Sequence, residues 1–121
     1  MTTDQMDARR ELDALVAEKV MGLRCERLMT NPPKPSGLMR SPGGELVGLP
    51  YFSTDISVAW KVVEEMRGRG YWVSVQMQPK SGDVDCVMWL PSADDTQDFS
   101  DDEAPTAPLA ICRAALKAVG A

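Results

Sequence analysis

The chain contains no histidine, so the usual general base near neutral pH, the usual zinc ligand and every histidine-dependent triad are missing together. Carboxylate, thiolate or lysine chemistry is left without a motif to signal it, and no cofactor is expected. Cysteine is scarce: Cys25, Cys86 and Cys112 are odd in number, widely spaced and without a CxxC pair. A chain of 121 residues can bury a core without disulfides or metal, so the three read as reduced thiols. The polar start Met-Thr-Thr-Asp-Gln-Met-Asp-Ala-Arg-Arg lacks the apolar stretch of a signal peptide, and no run approaches the roughly 18 apolar residues that span a bilayer. A cytoplasmic location and no membrane partner are expected. Positive charge is also in deficit. Thirteen basic residues face eighteen acidic ones, a net charge of −5, which opposes direct binding to nucleic acid and points to a basic protein partner.

What is present sorts into alternating elements. From Asp4 to about Val20, the apolar residues Leu12, Leu15, Val16 and Val20 form one stripe, and Arg9, Arg10, Glu11, Asp13, Glu18 and Lys19 occupy the rest. This spacing predicts an amphipathic helix ending near Gly22, with a short strand over Leu23 to Met29. Between about 30 and 50, five prolines and four glycines oppose both helix and ladder hydrogen bonding. A long loop is expected, with a short strand around Glu45 to Val47; it serves either a function or a simple spacing role.

Ser53-Thr54-Asp55 supplies a hydroxyl cap and an early carboxylate for a second helix, whose stripe is Ile56, Ala59, Trp60, Val63 and Met66. Tyr71 to Pro79 and Val84 to Pro91 alternate as two strands around Lys80-Ser81-Gly82-Asp83, a hairpin with Pro79 opposite Val84. That register sets Val73, Val75 and Met77 against Leu90, Met88 and Cys86 on one apolar face. The other face carries Trp72, Ser74, Gln76 and Gln78 with Asp85, Val87 and Trp89, to be covered by a second helical layer or to serve a ligand or subunit interface. From about 92 to 105 a solvated acidic loop is expected, carrying Asp94, Asp95, Asp98, Asp101, Asp102 and Glu103. After Thr106, a cap, Pro108 opens a terminal helix that buries Leu109, Cys112, Ala115, Leu116 and Val119.

Each candidate for chemistry has a structural counterpart. Cys112 and Cys86 sit among apolar residues, which suits buried thiols better than nucleophiles. Glu64 and Glu65 belong to the polar side of the second helix, and the acidic loop lacks the glycine-anchored spacing of an EF-hand, so no metal site is assigned. Lys61, Arg67 and Arg69 near the end of the second helix could approach an anionic ligand with Trp72 and Trp89 as stacking surface, or simply favour the helix terminus.

Three segments resemble the phage ABA-sandwich family: Glu11-Leu-Asp-Ala-Leu-Val-Ala-Glu-Lys-Val-Met-Gly22, Pro50-Tyr-Phe-Ser-Thr-Asp-Ile-Ser-Val-Ala-Trp-Lys-Val-Val-Glu-Glu-Met66 and Ala107-Pro-Leu-Ala-Ile-Cys-Arg-Ala-Ala-Leu-Lys-Ala118. Together they span about a third of the chain. The resemblance implies a single α+β domain, a three-layer α/β/α sandwich with a mostly antiparallel small sheet, a central hairpin and about three helices. It implies a phage or prophage origin and supplies no catalytic residues. The leading expectation is a non-enzymatic phage accessory protein that inhibits a host factor, such as a basic nucleic-acid-binding defence component, by presenting the acidic loop where phosphate would bind. Two other expectations stand beside it: a nucleotide-binding domain with its pocket between the long loop and the Trp72/Trp89 face, and a homo-oligomeric accessory protein.

Overall fold

A computed structural model describes residues 3–31, 33–90 and 98–120. The architecture is an α+β sandwich of three helices and two three-stranded antiparallel sheets. Helix α1 (Thr3–Leu15) runs into a π-helical turn at Val16–Val20, where Met21 N–H reaches back to Val16 C=O at 3.0 Å. Gly22, at φ +69°, ends it in a conformation that costs other residues more. Of the expected stripe, Val16 and Val20 are buried and Leu12 and Leu15 half-buried, while Ala14 and Ala17, outside it, are buried as well.

Asp13, expected on the solvated side, is fully buried. Its carboxylate accepts from Arg10 Nη1 at 2.8 Å and from Ser53 N–H at 2.7 Å, so a buried charge gains both a counter-ion and a backbone donor. Arg10 also donates to Leu49 C=O at 2.8 Å and stacks on Tyr51, 4.1 Å from the ring centre. Arg9 donates to Ser53 C=O at 3.2 Å. Two arginines of α1 thereby satisfy the backbone of a segment that belongs to no ladder.

The first sheet corrects the expectation of a loop over 30–50. Strands β1 (Arg24–Leu28), β2 (Lys34–Arg40) and β3 (Leu46–Gly48) pair in that order. Pro35 is tolerated because β3 pairs with Leu38, Met39 and Arg40, leaving the proline end of β2, among the described residues, with β1 alone as neighbour. Pro42 and two glycines form the turn into β3, closed by Gly44 N–H to Ser41 C=O at 2.8 Å. The composition marked turns and an edge, not the absence of a sheet. Arg27 of β1 clasps both Glu11 and Glu18 of the helical segment.

Helix α2 (Ile56–Gly68) is capped by Asp55, which accepts from Ser57 N–H at 2.9 Å and Val58 N–H at 3.4 Å. The Ser53 hydroxyl, expected to share in capping, instead donates to Arg9 C=O. The buried stripe is Ala59, Val62, Val63 and Met66, while Ile56 and Trp60 are about half exposed. Both sets keep helical spacing, and packing selected the one rotated away from the tryptophan. Helix α3 (Ala107–Ala118) is buried almost all round, with Ala110, Ile111, Cys112, Ala114 and Ala115 at zero exposure. Thr106 makes no side-chain cap bond, and Pro108 occupies the first turn.

The second sheet contains β4 (Trp72–Met77), β5 (Val84–Leu90) and β6 (Asp98–Ala104), in that order. The hairpin is displaced by two residues from the expected register: Val73 faces Met88, Val75 faces Cys86 and Met77 faces Val84. Proline has no N–H with which to close a ladder. Gln78 closes it instead, donating to Asp83 C=O at 2.7 Å, and the turn becomes Pro79 to Gly82, with Gly82 at φ +74°. A shift of two preserves the faces. Part of the expected acidic loop is strand β6, paired along the whole of β5. Backbone pairing does not require apolar side chains, and β5, buried on its inner face, gains a second neighbour. Helices α2 and α3 pack against this sheet, α1 against β2.

Breaking the Asp13 cluster tests its role. Asp13→Ala should lower unfolding free energy by about 3 kcal/mol, because removing one partner of a buried pair strands the other, with Asp13→Asn milder. An unchanged melting temperature for Asp13→Ala would show that α1 and 49–53 are held together by other means.

Candidate binding face

Inner positions of the second sheet are used for packing: Val84, Cys86 and Met88 are buried. Its outer face carries Trp72, Ser74 and Gln76 from β4 and Asp85, Val87 and Trp89 from β5. Trp72 and Trp89 are direct cross-strand partners, with ring centroids 5.9 Å apart and planes at 21°, a stacked geometry favourable to indoles. Trp72 is nonetheless 61 % exposed. The expectation that a second helical layer would cover it is not met among the described residues. Along the same ladder β6 sets Phe99 opposite Trp89, Asp101 opposite Val87 and Glu103 opposite Asp85. Asp85 accepts from Gln78 Nε2 at 3.1 Å and Glu103 is exposed. Trp72 and Trp89 thus occupy one end of this face and Asp85 and Glu103 the other.

The candidate cations separate. Arg67 lines a hollow of about 350 Å³ with Gly70, Tyr71, Trp72 and Val73. Arg69 faces elsewhere: it pairs with Glu65 at 3.2 Å and donates to Val20 C=O, fastening the end of α2 to the π turn. Of the acidic candidates, Asp98, Asp101, Asp102 and Glu103 belong to β6, and Asp94 and Asp95 lie outside the described residues. The pocket expected between the 30–50 segment and the tryptophans is not formed as one site. A cleft of about 750 Å³ does flank that segment, but Glu11, Leu28, Lys34 and Pro35 line it, from α1 and the first sheet. The hollow beside Trp72 shares no residue with it. The pairing of Asp85 with Glu103 escaped sequence reasoning because 98–104 carries no apolar alternation.

Burial pushes the Cys112 thiol far up, with Asp13 adding to the effect. Desolvation, then Glu18, raises that of Cys25. Neither is poised as a thiolate. Among the described residues no three His, Cys, Asp or Glu side chains are grouped to hold a metal ion, and no helix is long and apolar enough to cross a membrane.

The family model of the phage ABA sandwich domain matches residues 14–116. The chain belongs to that family. This phage ABA sandwich protein is also similar to a solved structure, a phage protein from Bacillus cereus ATCC 14579, at 26 % identity and a TM-score of 0.68, covering 91 % of this chain and 90 % of the other. Among curated proteins none matches. Membership agrees with the three segments that carried the resemblance, since the match runs from within α1 to within α3.

The thiols give a direct check on the inertness of this interior. In the native protein Cys86 and Cys112 should resist a disulfide-exchange reagent at mildly alkaline pH and Cys25 should react slowly, whereas all three react in denaturant. Rapid native modification of Cys112 would contradict its placement.

Proposed function

We propose that this protein is a non-catalytic phage accessory protein that binds a basic host protein through the outer face of its second sheet. The observation that carries the reading is the exposed Trp72 stacked on Trp89. A buried tryptophan removes roughly 150–250 Å² from water, so leaving most of Trp72 exposed forgoes stabilisation on the order of 3 kcal/mol. A partner that covers it recovers that term, and tryptophan is among the residues that dominate interface energetics. The carboxylates of Asp85 and Glu103 at the other end of the same face favour a lysine- or arginine-bearing surface, and an indole face accepts a cation as well. Family membership supports the phage setting. A host defence component that ordinarily grips nucleic-acid phosphate has the required charge, and the acidic end of the face would then stand where phosphate binds.

Capture from lysate of the infected bacterial host tests the reading when wild type is run beside Trp72→Ala and beside the double change Asp85→Asn with Glu103→Gln. Recovery of a stoichiometric basic protein should fall about tenfold or more with Trp72→Ala, the scale of an interface hot spot. It should fall for the double variant chiefly at low salt, where charge acts unscreened. Equal recovery by all three proteins would sink the proposal.

The hollow between Arg67 and Trp72 favours a second reading, a small anionic aromatic ligand such as a nucleotide held by stacking and one cation. Its volume, about 350 Å³, lies at the low end of ligand pockets. A nucleotide present at 100 times its dissociation constant should stabilise the fold by about 2.7 kcal/mol. A panel that leaves the melting temperature unmoved would remove this reading.

A further inference from the structure

We infer that the free edge of β4 pairs with β4 of a second copy of this chain, joining the two second sheets into one sheet of six strands. The ladder identifies which backbone groups are available. Gln78 N–H bonds to Asp83 C=O across the hairpin, and antiparallel bonding alternates residue by residue. Trp72, Ser74 and Gln76 therefore bond toward β5, while the amides and carbonyls of Val73, Val75 and Met77 point away from it. Among the described residues β4 has β5 as its only neighbour in the sheet.

Natural sheets guard such an edge with charge, proline, a bulge or a covering element. Strand β4 reads Trp-Val-Ser-Val-Gln-Met, without charge or proline, and its register with β5 runs unbroken from Trp72 to Met77. Its inward-facing residues reach past the helices: Val75 is 38 % exposed and Met77 is 74 % exposed.

Helix α2 extends the apolar surface. Arg67 lines the hollow with Trp72 and Val73 and no residue of β5 takes part, so the flank of α2 that carries Arg67 looks toward the free edge. Trp60 and Ile56 lie two and three helical turns earlier on that flank and are 48 % and 49 % exposed. Ile56, Trp60, Val75 and Met77 thus share one side of the molecule.

The occupant that fits is a second copy, because the edge is self-complementary. A two-fold axis through Val75 sets Val73 opposite the partner subunit's Met77 and Val75 opposite the partner subunit's Val75, with every outward amide meeting a carbonyl. The same axis places α2 of both copies on one side of the joined sheet. It also brings Arg67 toward the partner's hairpin turn, whose Lys80 and Asp83 offset each other in charge. A stable interface needs about 1,000 Å², and the half-exposed flank of α2 adds apolar area to the strand pair. This edge is distinct from the outer face assigned to a host partner.

Sedimentation or light scattering should give twice the 13.2 kDa chain mass for the full chain. Val75→Pro removes one outward amide at a position where an edge strand tolerates proline, and should return the mass to that of one chain with unchanged circular dichroism. A second test does not depend on that variant folding. In a Cys25→Ser background, Val75→Cys should oxidise to a covalent dimer, since directly paired Cα atoms stand about 5.5 Å apart. Ser74→Cys, offset from its own copy in this register, should not. A strictly monomeric wild type at high concentration, a dimer that survives Val75→Pro, or equal cross-linking at positions 74 and 75 would each overturn the inference. So would a monomer whose edge is occupied by a different polypeptide.

Discussion

The structure depends on one buried carboxylate. Asp13 has zero exposure and holds Arg10 on one oxygen and the backbone of Ser53 on the other. Through it α1 grips the segment 49–53, which has no ladder to fix it and would lose on the order of 1–2 kcal/mol per residue on being ordered. That segment buries Leu49 and Phe52 and delivers Asp55 to the start of α2. Apolar side chains of similar volume can match such a pair in stability, so its particular contribution is direction. A carboxylate, the guanidinium groups of Arg9 and Arg10 and the carbonyls of Leu49, Pro50 and Ser53 admit few alternative arrangements, and the relative placement of α1 and α2 follows from them.

Helix α3 then decides which surfaces stay open. Alanines at 110, 114 and 115 let neighbouring elements approach closely, and the helix packs against β5 and β6 on one side and α2 and the π turn on the other. All three helices are engaged in this way: α2 and α3 serve the inner face of the second sheet and α1 serves the first. No described element remains to cover the outer face, which is why Trp72 is exposed while Met88 on the opposite face of the same sheet is fully buried. Both tryptophans of the stacked pair lie at the end of the ladder nearest Gly70, so the aromatic patch sits where α2 turns into β4. Tyr71 fixes that corner by donating its hydroxyl to Ala118 C=O at 3.2 Å.

Much of this was legible in the sequence, and the failures have particular causes. Helical periodicity located α1, α2 and α3 and the hairpin, because spacing of 3.6 and of 2 leaves a mark in the order of residues. It could not choose between Trp60 and Val62, since an apolar stripe broader than the buried surface fits several rotations. Proline density argues against a sheet over 30–50, yet Pro35 needs only a strand end without a second neighbour. The acidic strand β6 was hidden because its pairing rests on backbone groups that every sequence possesses. Asp13 looked like surface decoration because its partners lie about forty residues away, as the contact to Ser53 shows. The candidate face was half visible: a register displaced by two kept Trp72 and Trp89 on one side but concealed that they are direct partners.

The interior is used for packing, and both proposals lie at the surface. Histidine is missing from the chain, Cys86 and Cys112 are buried, and burial holds the Cys112 thiol protonated. Strand β4 belongs to both surfaces: its side chains Trp72, Ser74 and Gln76 form part of the outer face, and its outward backbone groups form the edge. A second copy joined at that edge would therefore extend the outer face without covering it, setting two stacked tryptophan pairs and two carboxylate ends on one twisted sheet. A partner with repeated basic sites would engage both at once, and the second contact, made at high effective concentration, would add avidity without any new residue. A net charge of −5 per chain opposes self-association, and strand β4 itself carries no charged residue to add to that opposition.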